Sequence, residues 1–273
     1  MAHPTPGDRS GLRRRERSRP RASTGRGQPV TGIPALLHIA TPSLSIVESA
    51  LFNGYDGVVI DLQHGEIGLE TACTMLRAIP RDVRYAYARV ASIDSGAIGR
   101  LMDSGARGII APTIESADEA RALVAATKYP PLGRRSLGPS RPQLYSGSSY
   151  TDAGNDTVEC IVQIETRRGL DAAEEILAVP GVGSVYIGPA DLAVSFGLPG
   201  RPDWTDGPVS DAVAEIAKVA RAHGRTCGIY ASSPAYAGGL ERAELIDYVG
   251  LGIDLLMVGA QARQNIATLR SES

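Results

Sequence analysis

Two acidic side chains follow apolar segments in the second half of the sequence, and together they form a candidate site for a divalent cation. Glu165 comes directly after Cys160–Ile164, and Asp191 follows Ser184–Ile187 after a short turn. Mg2+ and Mn2+ prefer oxygen ligands and keep several waters, so two carboxylates suffice as protein ligands. The alternative is that each carboxylate caps the helix after its strand, a common role for Asp at such turns. The sequence leaves both roles open.

Two further polar side chains follow apolar segments in the first half of the sequence. His64 lies just after Gly57–Ile60, and Arg89 ends the next such segment. Imidazole titrates closest to neutral pH, so His64 is a candidate for proton transfer, the alternative being an exposed histidine without a role. The guanidinium of Arg89 offers a planar fork to a carboxylate or a 2-oxo acid. Its alternative is a salt bridge to Asp61 or Glu165.

The elements that must position these residues are short β-rich segments that alternate with longer helical patterns, as is typical of βα units around a parallel sheet. The candidate side chains come at the carboxyl ends of the predicted strands, and a parallel barrel brings those ends together on one face. The sequence therefore predicts an α/β protein, a (β/α)8 TIM barrel formed by residues 31–273 as a single domain. The eight predicted strands are Ala35–Ile39, Gly57–Ile60, Tyr85–Arg89, Gly108–Ala111, Cys160–Ile164, Ser184–Ile187, Thr226–Tyr230 and Leu255–Val258. The predicted helices include Leu69–Ala78, Gly96–Ser104, Ala117–Thr127, Leu170–Leu177, Val209–Ala222 and a helix from Ala235 onward.

One connection in this pattern is unusually long. The segment Tyr129–Asp156, between the fourth and fifth predicted strands, is rich in Pro, Gly, Ser and Arg. Long loops inside compact domains usually serve a functional site, so we predict an inserted loop at the site.

The first 30 residues differ in composition from the rest of the chain. They carry eight arginines against Asp8 and Glu16, a net charge of +6, whereas the remainder has a net charge of −8. Such a segment cannot bury enough apolar surface to offset its ordering entropy, so we predict a disordered basic tail over residues 1–30. The arginines could contact nucleic acid, an anionic surface or an acidic neighbouring subunit, or have no function. Nucleic-acid binding would add to the chemistry of the barrel rather than replace it.

Composition also bears on the location of the protein. The longest apolar segments, such as Gly57–Ile60, are far shorter than the ~20 residues that a membrane-spanning helix requires. Cys73, Cys160 and Cys227 lie far apart, without metal-binding or redox spacing. We predict that they are small core residues and that the protein is soluble and cytoplasmic, in a reducing compartment.

The motifs of the sequence together resemble the HpcH/HpaI aldolase family, the class II pyruvate aldolases. The resemblance spans about residues 31–268. It implies a (β/α)8 barrel, a divalent metal (Mg2+, Mn2+ or Co2+), no Schiff-base lysine, and a homo-oligomer that is often a hexamer made of trimers. The matching segments are Asp61-x-x-His64, Arg89, Leu101-Met102-Asp103-x-Gly105, Ala111-Pro112, Lys128-Tyr129-Pro130-Pro131-x-Gly133-x-Arg135, Gln163-Ile164-Glu165-Thr166 and Gly188-Pro189-Ala190-Asp191-Leu192.

The resemblance implies a role for each matching position. Glu165 and Asp191 would bind the metal, and Arg89 would hold the pyruvate oxygens and polarise the keto group. The metal would chelate a 4-hydroxy-2-oxo acid and stabilise the enolate formed as the C3–C4 bond breaks, which releases an aldehyde and leaves pyruvate. The other implied roles are proton transfer by His64, a His–Asp dyad of His64 with Asp103 within the subunit or across a subunit boundary, support of the strand-two loop by Asp61, and lining of the metal and carboxylate pocket by Gln163 and Ala190.

The sequence departs from the family pattern beside two of these positions. Leu62-Gln63-His64 stands where many relatives have Gly-Glu-His, so Gln63 replaces an acidic neighbour, which would shift metal affinity or the basicity of the site. Arg89 is followed by Val90, where relatives often have proline. At the end of the seventh predicted strand, Tyr230 would narrow or polarise the aldehyde pocket.

Two other functions are compatible with the same barrel. An acyl-CoA lyase of the malyl-CoA or citrate lyase type needs basic groups for the CoA phosphates, and the acidic body of this chain disfavours it. A non-catalytic scaffold has no physical need to keep His64, Arg89, Glu165 and Asp191 together. We therefore predict a metal-dependent aldolase that acts on a small 2-oxo acid and an aldehyde.

Overall fold

The strands form a closed barrel in the computed structural model, which describes residues 32–138, 140–146 and 150–271. Each of the eight strands pairs in parallel with the next, and β8 pairs with β1. The predicted α/β barrel is therefore confirmed. The strands are β1 Ala35–Ile39, β2 Gly57–Asp61, β3 Tyr85–Arg89, β4 Gly108–Ala111, β5 Glu159–Ile164, β6 Ser184–Ile187, β7 Thr226–Ala231 and β8 Tyr248–Ile253.

Helices follow the strands around the outside of the barrel, and their starts are marked by local capping. Ser43, Asp94, Ser116 and Ser233 each accept a hydrogen bond from a backbone N–H in the first turn of their helix. The helices are α1 Leu44–Phe52, α2 Leu69–Ala78, α3 Ser95–Ser104, α4 Ala117–Thr127, α5 Ser140–Ser146, α6 Tyr150–Thr157, α7 Arg167–Asp171, α8 Ala173–Ala178, α9 Pro189–Ser195, α10 Gly207–Ala222, α11 Pro234–Arg242 and α12 Asp254–Ser271.

The strands are buried on both faces, which explains their near-continuous apolar sequences. One face packs against the helices in the large outer cluster, and the other fills the barrel interior. Aromatic rings take much of the interior, where glycine on the next strand makes room for them. A Cβ at Gly108, for example, would lie 2.5 Å from Cδ1 of Tyr87. The interior residues are Leu36, Val59, Tyr85, Tyr87, Ile110, Ile161, Tyr186 and Tyr248.

The eighth strand was predicted at the wrong place. Leu255–Val258 belongs to α12, and β8 is the preceding segment Tyr248–Ile253. Two glycines interrupt the apolar pattern of β8, so the sequence did not indicate a strand there. Gly250 leaves room for the His38 and Tyr186 side chains, and Gly252 has a left-handed φ of 78°. Close packing and backbone conformation, rather than β propensity, decide the sequence of this strand.

The predicted inserted loop contains two helices, α5 and α6. Lys128 lies at its start, and its Nζ donates to the backbone oxygens of Asn155 and Val158 at 2.6 and 2.5 Å. The buried side chain of Arg135 donates from Nη2 to Asp103 at 2.6 Å. These polar contacts hold the start of the inserted segment against the barrel, which its Pro- and Gly-rich sequence did not indicate.

Further predictions concern one helix, the cysteines, the N-terminal tail and membrane-spanning segments. Helix Leu170–Leu177 is divided at Ala172 into α7 and α8. All three cysteines are free and buried, as predicted. The predicted tail, residues 1–30, lies outside the described residues. No helix within the described ranges combines the length and the hydropathy that crossing a lipid bilayer requires.

Candidate active site

Glu165 lies at the carboxyl end of β5 and is almost fully buried. The backbone N and the Oγ1 of Thr113 both donate to its Oε1, each at 2.8 Å. Nε2 of Gln163 donates to the other oxygen, Oε2. Burial, and then the nearby charge of Asp191, raise the pKa of Glu165 against these hydrogen bonds. A bound cation would offset both unfavourable effects.

Thr113 was not recognised from the sequence. It follows β4 and adopts a left-handed backbone with φ of 53°, which is uncommon for a β-branched residue. Strain of this kind costs on the order of 1–3 kcal/mol and persists where the surroundings impose it. Here the conformation directs two donors of one residue at the same carboxylate oxygen. The only sequence signal is its place directly after Ala111-Pro112, at a strand end.

Asp191 lies in the first turn of α9, and its side chain is exposed. Gly188, which precedes the helix, permits close approach to Glu165, because a Cβ there would lie 2.5 Å from Glu165 Oε2. Ala190, also in this turn, is half-buried. The two predicted metal ligands are therefore on adjacent strand ends, one buried and one open to solvent.

The helix-capping alternative for these two carboxylates is not supported. The residue that caps α7 is Thr166, whose side chain accepts from the backbone N of Gly169 at 3.0 Å. The N-cap position of α9 is Gly188, with no side-chain cap hydrogen bond. Both carboxylates are thus available for another purpose.

Arg89 forms the salt bridge to Asp61 that the sequence left as an alternative. Its Nε and Nη2 donate to the two carboxylate oxygens at 2.9 and 2.6 Å. The side chains of Arg89 and Asp61 are only 11% and 3% exposed. Arg89 Nη1 makes no hydrogen bond within the described residues, so it remains available to a ligand. The salt bridge and a ligand contact are therefore compatible.

The same Asp61 carboxylate also supports the loop after β2. Its Oδ1 accepts from the backbone N of Gln63 at 3.0 Å and of His64 at 3.4 Å. Gln63 is half-buried, and its Oε1 is a buried atom without a hydrogen-bond partner in the described structure. One aspartate thus links the position of Arg89 to that of His64.

His64 and Asp103 are not brought together within this chain. His64 is exposed, and its ring nitrogens have no hydrogen-bond partner among the described residues. Asp103, on α3, instead accepts from Arg135 at 2.6 Å, with its side chain 40% exposed. The dyad of the two residues stays a prediction that needs a second subunit.

His38 lies inside the barrel beside the site, although nothing in its sequence context indicated a role. Its Nε2 lies 2.7 Å from the hydroxyl of Tyr186, while its buried Nδ1 has no partner in the described structure. Burial, followed by the charge of Arg89, lowers the pKa of His38 to about 3. This direction favours the neutral ring, whose hydrogen bond goes to Tyr186. Only the burial of strand β1 could have identified it.

Tyr230, at the end of β7, packs its ring edge-on against His38 with a centroid distance of 5.4 Å. It is half-buried and lies against the interior cluster. Burial raises the pKa of Tyr230, and the charge of Arg89 opposes that shift. Tyr230 thus lies at the carboxyl end of β7, across the closed barrel from Arg89 on β3.

The residues present suit a divalent cation that brings its own water ligands. No group of three or more His, Cys, Asp or Glu side chains that could hold a metal ion occurs within residues 32–138, 140–146 and 150–271. A structural zinc site, which needs four protein ligands, is not formed by these residues. Two carboxylates, with water and substrate oxygens, match the requirements of Mg2+ or Mn2+. The buried Oε1 of Gln163 also lacks a partner in the described structure, which leaves a polar group for a ligand or water.

Comparisons with known proteins agree with this geometry. The model of the HpcH/HpaI aldolase/citrate lyase family matches residues 35–258. A hydroxypyruvate/pyruvate aldolase of Rhizorhabdus wittichii is 39% identical over 241 residues, covering 88% of this chain and 96% of the relative. A 4-hydroxy-2-oxo-heptane-1,7-dioate aldolase of Salmonella heidelberg is 35% identical over 215 residues, 77% of this chain and 80% of the relative.

A solved structure extends the comparison to the fold. The crystal structure of an HpcH/HpaI aldolase/citrate lyase family protein from Burkholderia cenocepacia has a TM-score of 0.79 and 29% identity. It covers 88% of this chain and 95% of its own. The family predicted from the motifs is confirmed by these matches. The chain belongs to the HpcH/HpaI aldolase/citrate lyase family.

Proposed function

We propose that the chain is a metal-dependent aldolase, a carbon–carbon lyase that reversibly cleaves a 4-hydroxy-2-oxo acid to pyruvate and an aldehyde. The observation that carries the proposal is the pairing of buried Glu165 with Asp191 at adjacent strand ends, with Glu165 also among the charges that act on Arg89. The names of the aldolase relatives support the reaction class.

In this proposal Glu165 and Asp191 hold a divalent cation, Mg2+, Mn2+ or Co2+, all of which accept such oxygen ligands. When bound, the cation supplies a Lewis acid for a 2-oxo acid. Arg89 Nη1 donates to the keto oxygen, and the salt bridge to Asp61 fixes the plane of the guanidinium. Gln163 and Ala190 line the side on which the carboxylate of the substrate lies.

Proton transfer is assigned to His64. Its exposed ring is attached to the loop whose backbone N–H groups bind Asp61, so its position is coupled to that of Arg89. In the cleavage direction a base accepts the proton of the C4 hydroxyl, and the same group returns a proton in synthesis. Asp103 of a second subunit would orient the ring, since no contact joins His64 to Asp103 among the described residues of one chain.

A homo-oligomer is also part of the proposal. Of the 18 residues of α12, Asp254 alone is buried, and the exposed apolar side chains include the four consecutive residues Leu255–Val258. A monomer rarely exposes so much apolar surface on one element, and a second copy of the chain would cover it. A trimer or a hexamer made of trimers is expected for the whole protein, measured as molar mass by light scattering. The exposed apolar residues are Leu255, Leu256, Met257, Val258, Ile266 and Leu269.

The test of the proposed function is a panel of metals and substrates. Purified protein, stripped with a chelator, is supplied with Mg2+, Mn2+ or Co2+, with pyruvate or hydroxypyruvate, and with a series of short aldehydes. We expect an aldol product with at least one combination, and we expect Glu165→Gln to lose both the product and metal binding. No metal-dependent product in any combination would contradict the proposal. Cytoplasmic location, expected from the free cysteines, is checked by fractionation of the source cells.

A further inference from the structure

The hydrogen bonds of Glu165 restrict how this carboxylate can bind a cation. Oε1 accepts twice from Thr113, once from the backbone N and once from Oγ1, both at 2.8 Å. Oε2 accepts once, from Nε2 of Gln163. An ionised carboxylate has about four lone-pair positions, two on each oxygen. Three of them are used, and the one that remains is on Oε2.

Two of these three hydrogen bonds come from Thr113. Its left-handed backbone, with φ of 53°, directs both of its donors at Oε1. A residue without a hydroxyl at this position would donate only its N–H and would leave one lone pair of Oε1 free. The hydroxyl of Thr113 therefore occupies the lone pair of Oε1 that a bidentate metal ion would need.

We propose that Thr113 is a positioning residue that makes Glu165 a monodentate ligand and so selects a small octahedral cation over Ca2+. Mg2+ and Mn2+ are bound by single carboxylate oxygens together with water. Ca2+ has more ligands and gains from carboxylates that bind through both oxygens. This inference rests on the proposed metal site, and it adds to that site a reason for its cation preference.

Two variants separate the hydroxyl from the rest of the side chain. Thr113→Val keeps the shape and removes the Oγ1 donor, whereas Thr113→Ser keeps the donor and removes a methyl group. The readout is binding of Mn2+ and of Ca2+ to metal-free protein by titration calorimetry, with no substrate present. A hydrogen bond to a charged group has a free energy that corresponds to about a tenfold change in affinity. We expect the preference for Mn2+ over Ca2+ to fall about tenfold in Thr113→Val, and to be kept in Thr113→Ser.

A second measurement on the unaltered protein guards against a variant that does not fold. The infrared splitting of the carboxylate stretches on Mn2+ binding differs between monodentate and bidentate ligands. We expect the monodentate pattern for Glu165, assigned by the isotope shift in protein labelled with carbon-13 at the glutamate side-chain carboxyls. A bidentate pattern, or a folded Thr113→Val with the unaltered preference, would overturn the role of Thr113. If the unaltered protein bound no divalent cation at all, the proposed function itself would fail instead.

Discussion

The close approach of Gly188 to Glu165 gives a quantitative prediction for Gly188→Ala. An alanine Cβ would lie 2.5 Å from Oε2 of Glu165 and 2.8 Å from its Cβ. Ordinary contacts begin at 3.4 Å, so the carboxylate must move by about 0.9 Å. The backbone itself accepts alanine, since φ at Gly188 is −103°. The substitution therefore acts through Glu165, whose carboxylate and Cβ must both shift, rather than through the torsion angles of residue 188.

A displacement of about 1 Å in a positioned group costs roughly a hundredfold in rate. We expect kcat/KM of aldol cleavage to fall by about that factor, with weaker Mn2+ binding. Overpacking should lower the free energy of unfolding by about 1–3 kcal/mol, which leaves a folded protein. The assays are steady-state kinetics, metal titration and urea unfolding of the same preparations.

The matched control is Gly99→Ala in α3. No atom lies within 4 Å of a Cβ at this position, and alanine favours a helix over glycine by up to ~1 kcal/mol. Gly99→Ala should keep full activity and gain slight stability. If Gly188→Ala folded with unchanged metal affinity and rate, Glu165 Oε2 would not face the cation, and the assignment of the site would be wrong.

Other perturbations test separate parts of the site. Asp61→Ala leaves the charge of Arg89 buried without a partner, so the free energy of unfolding in urea should fall by about 3–5 kcal/mol. KM for the 2-oxo acid should rise, because Arg89 is no longer held in place. An unchanged KM would exclude a role of the Asp61 salt bridge in substrate binding. His64→Ala should retain metal binding and slow aldol turnover by about 10²–10⁴-fold, and equal turnover would remove the proposed proton transfer. The pKa of His38 is lowered to about 3 in the folded state, so its neutral ring contributes stability that is complete above about pH 6.5 and is lost as the pH falls toward 3. Between pH 7 and 4.5 the free energy of unfolding of the unaltered protein should fall by about 3 kcal/mol, a loss that His38→Gln should not show. Parallel pH profiles of the two proteins in urea would contradict the burial of a neutral histidine.

The sequence predicted those parts of the fold that local patterns determine. Seven strands lie where apolar β-rich segments predict them, and helix α4 begins at Ala117, as predicted. The eighth strand was missed because Gly250 and Gly252 are chosen for space and backbone conformation. The exposed Leu255–Val258 then resembled a strand in sequence, although its four apolar side chains surround one exposed turn of α12.

The residues of the candidate site also fall into two groups, those that local sequence indicates and those that depend on distant contacts. Glu165, Asp191 and Arg89 were predicted as site residues because their residue types and their places at strand ends indicate chemistry without reference to neighbours. Thr113 and His38 were missed because their roles depend on contacts between distant strands. The Tyr186 hydroxyl that binds His38 is 148 positions away in the chain. Such contacts leave no periodic signal in a single sequence.

The most direct test of the metal-dependent aldolase is the exchange of pyruvate methyl protons with deuterated water, followed by NMR without any aldehyde. We predict exchange in the presence of Mn2+, its loss on chelation, its recovery when Mn2+ is restored, and its absence in Glu165→Gln under every condition. Exchange that continued in chelator, or that survived intact in Glu165→Gln, would contradict a cation held by Glu165 as the basis of the reaction.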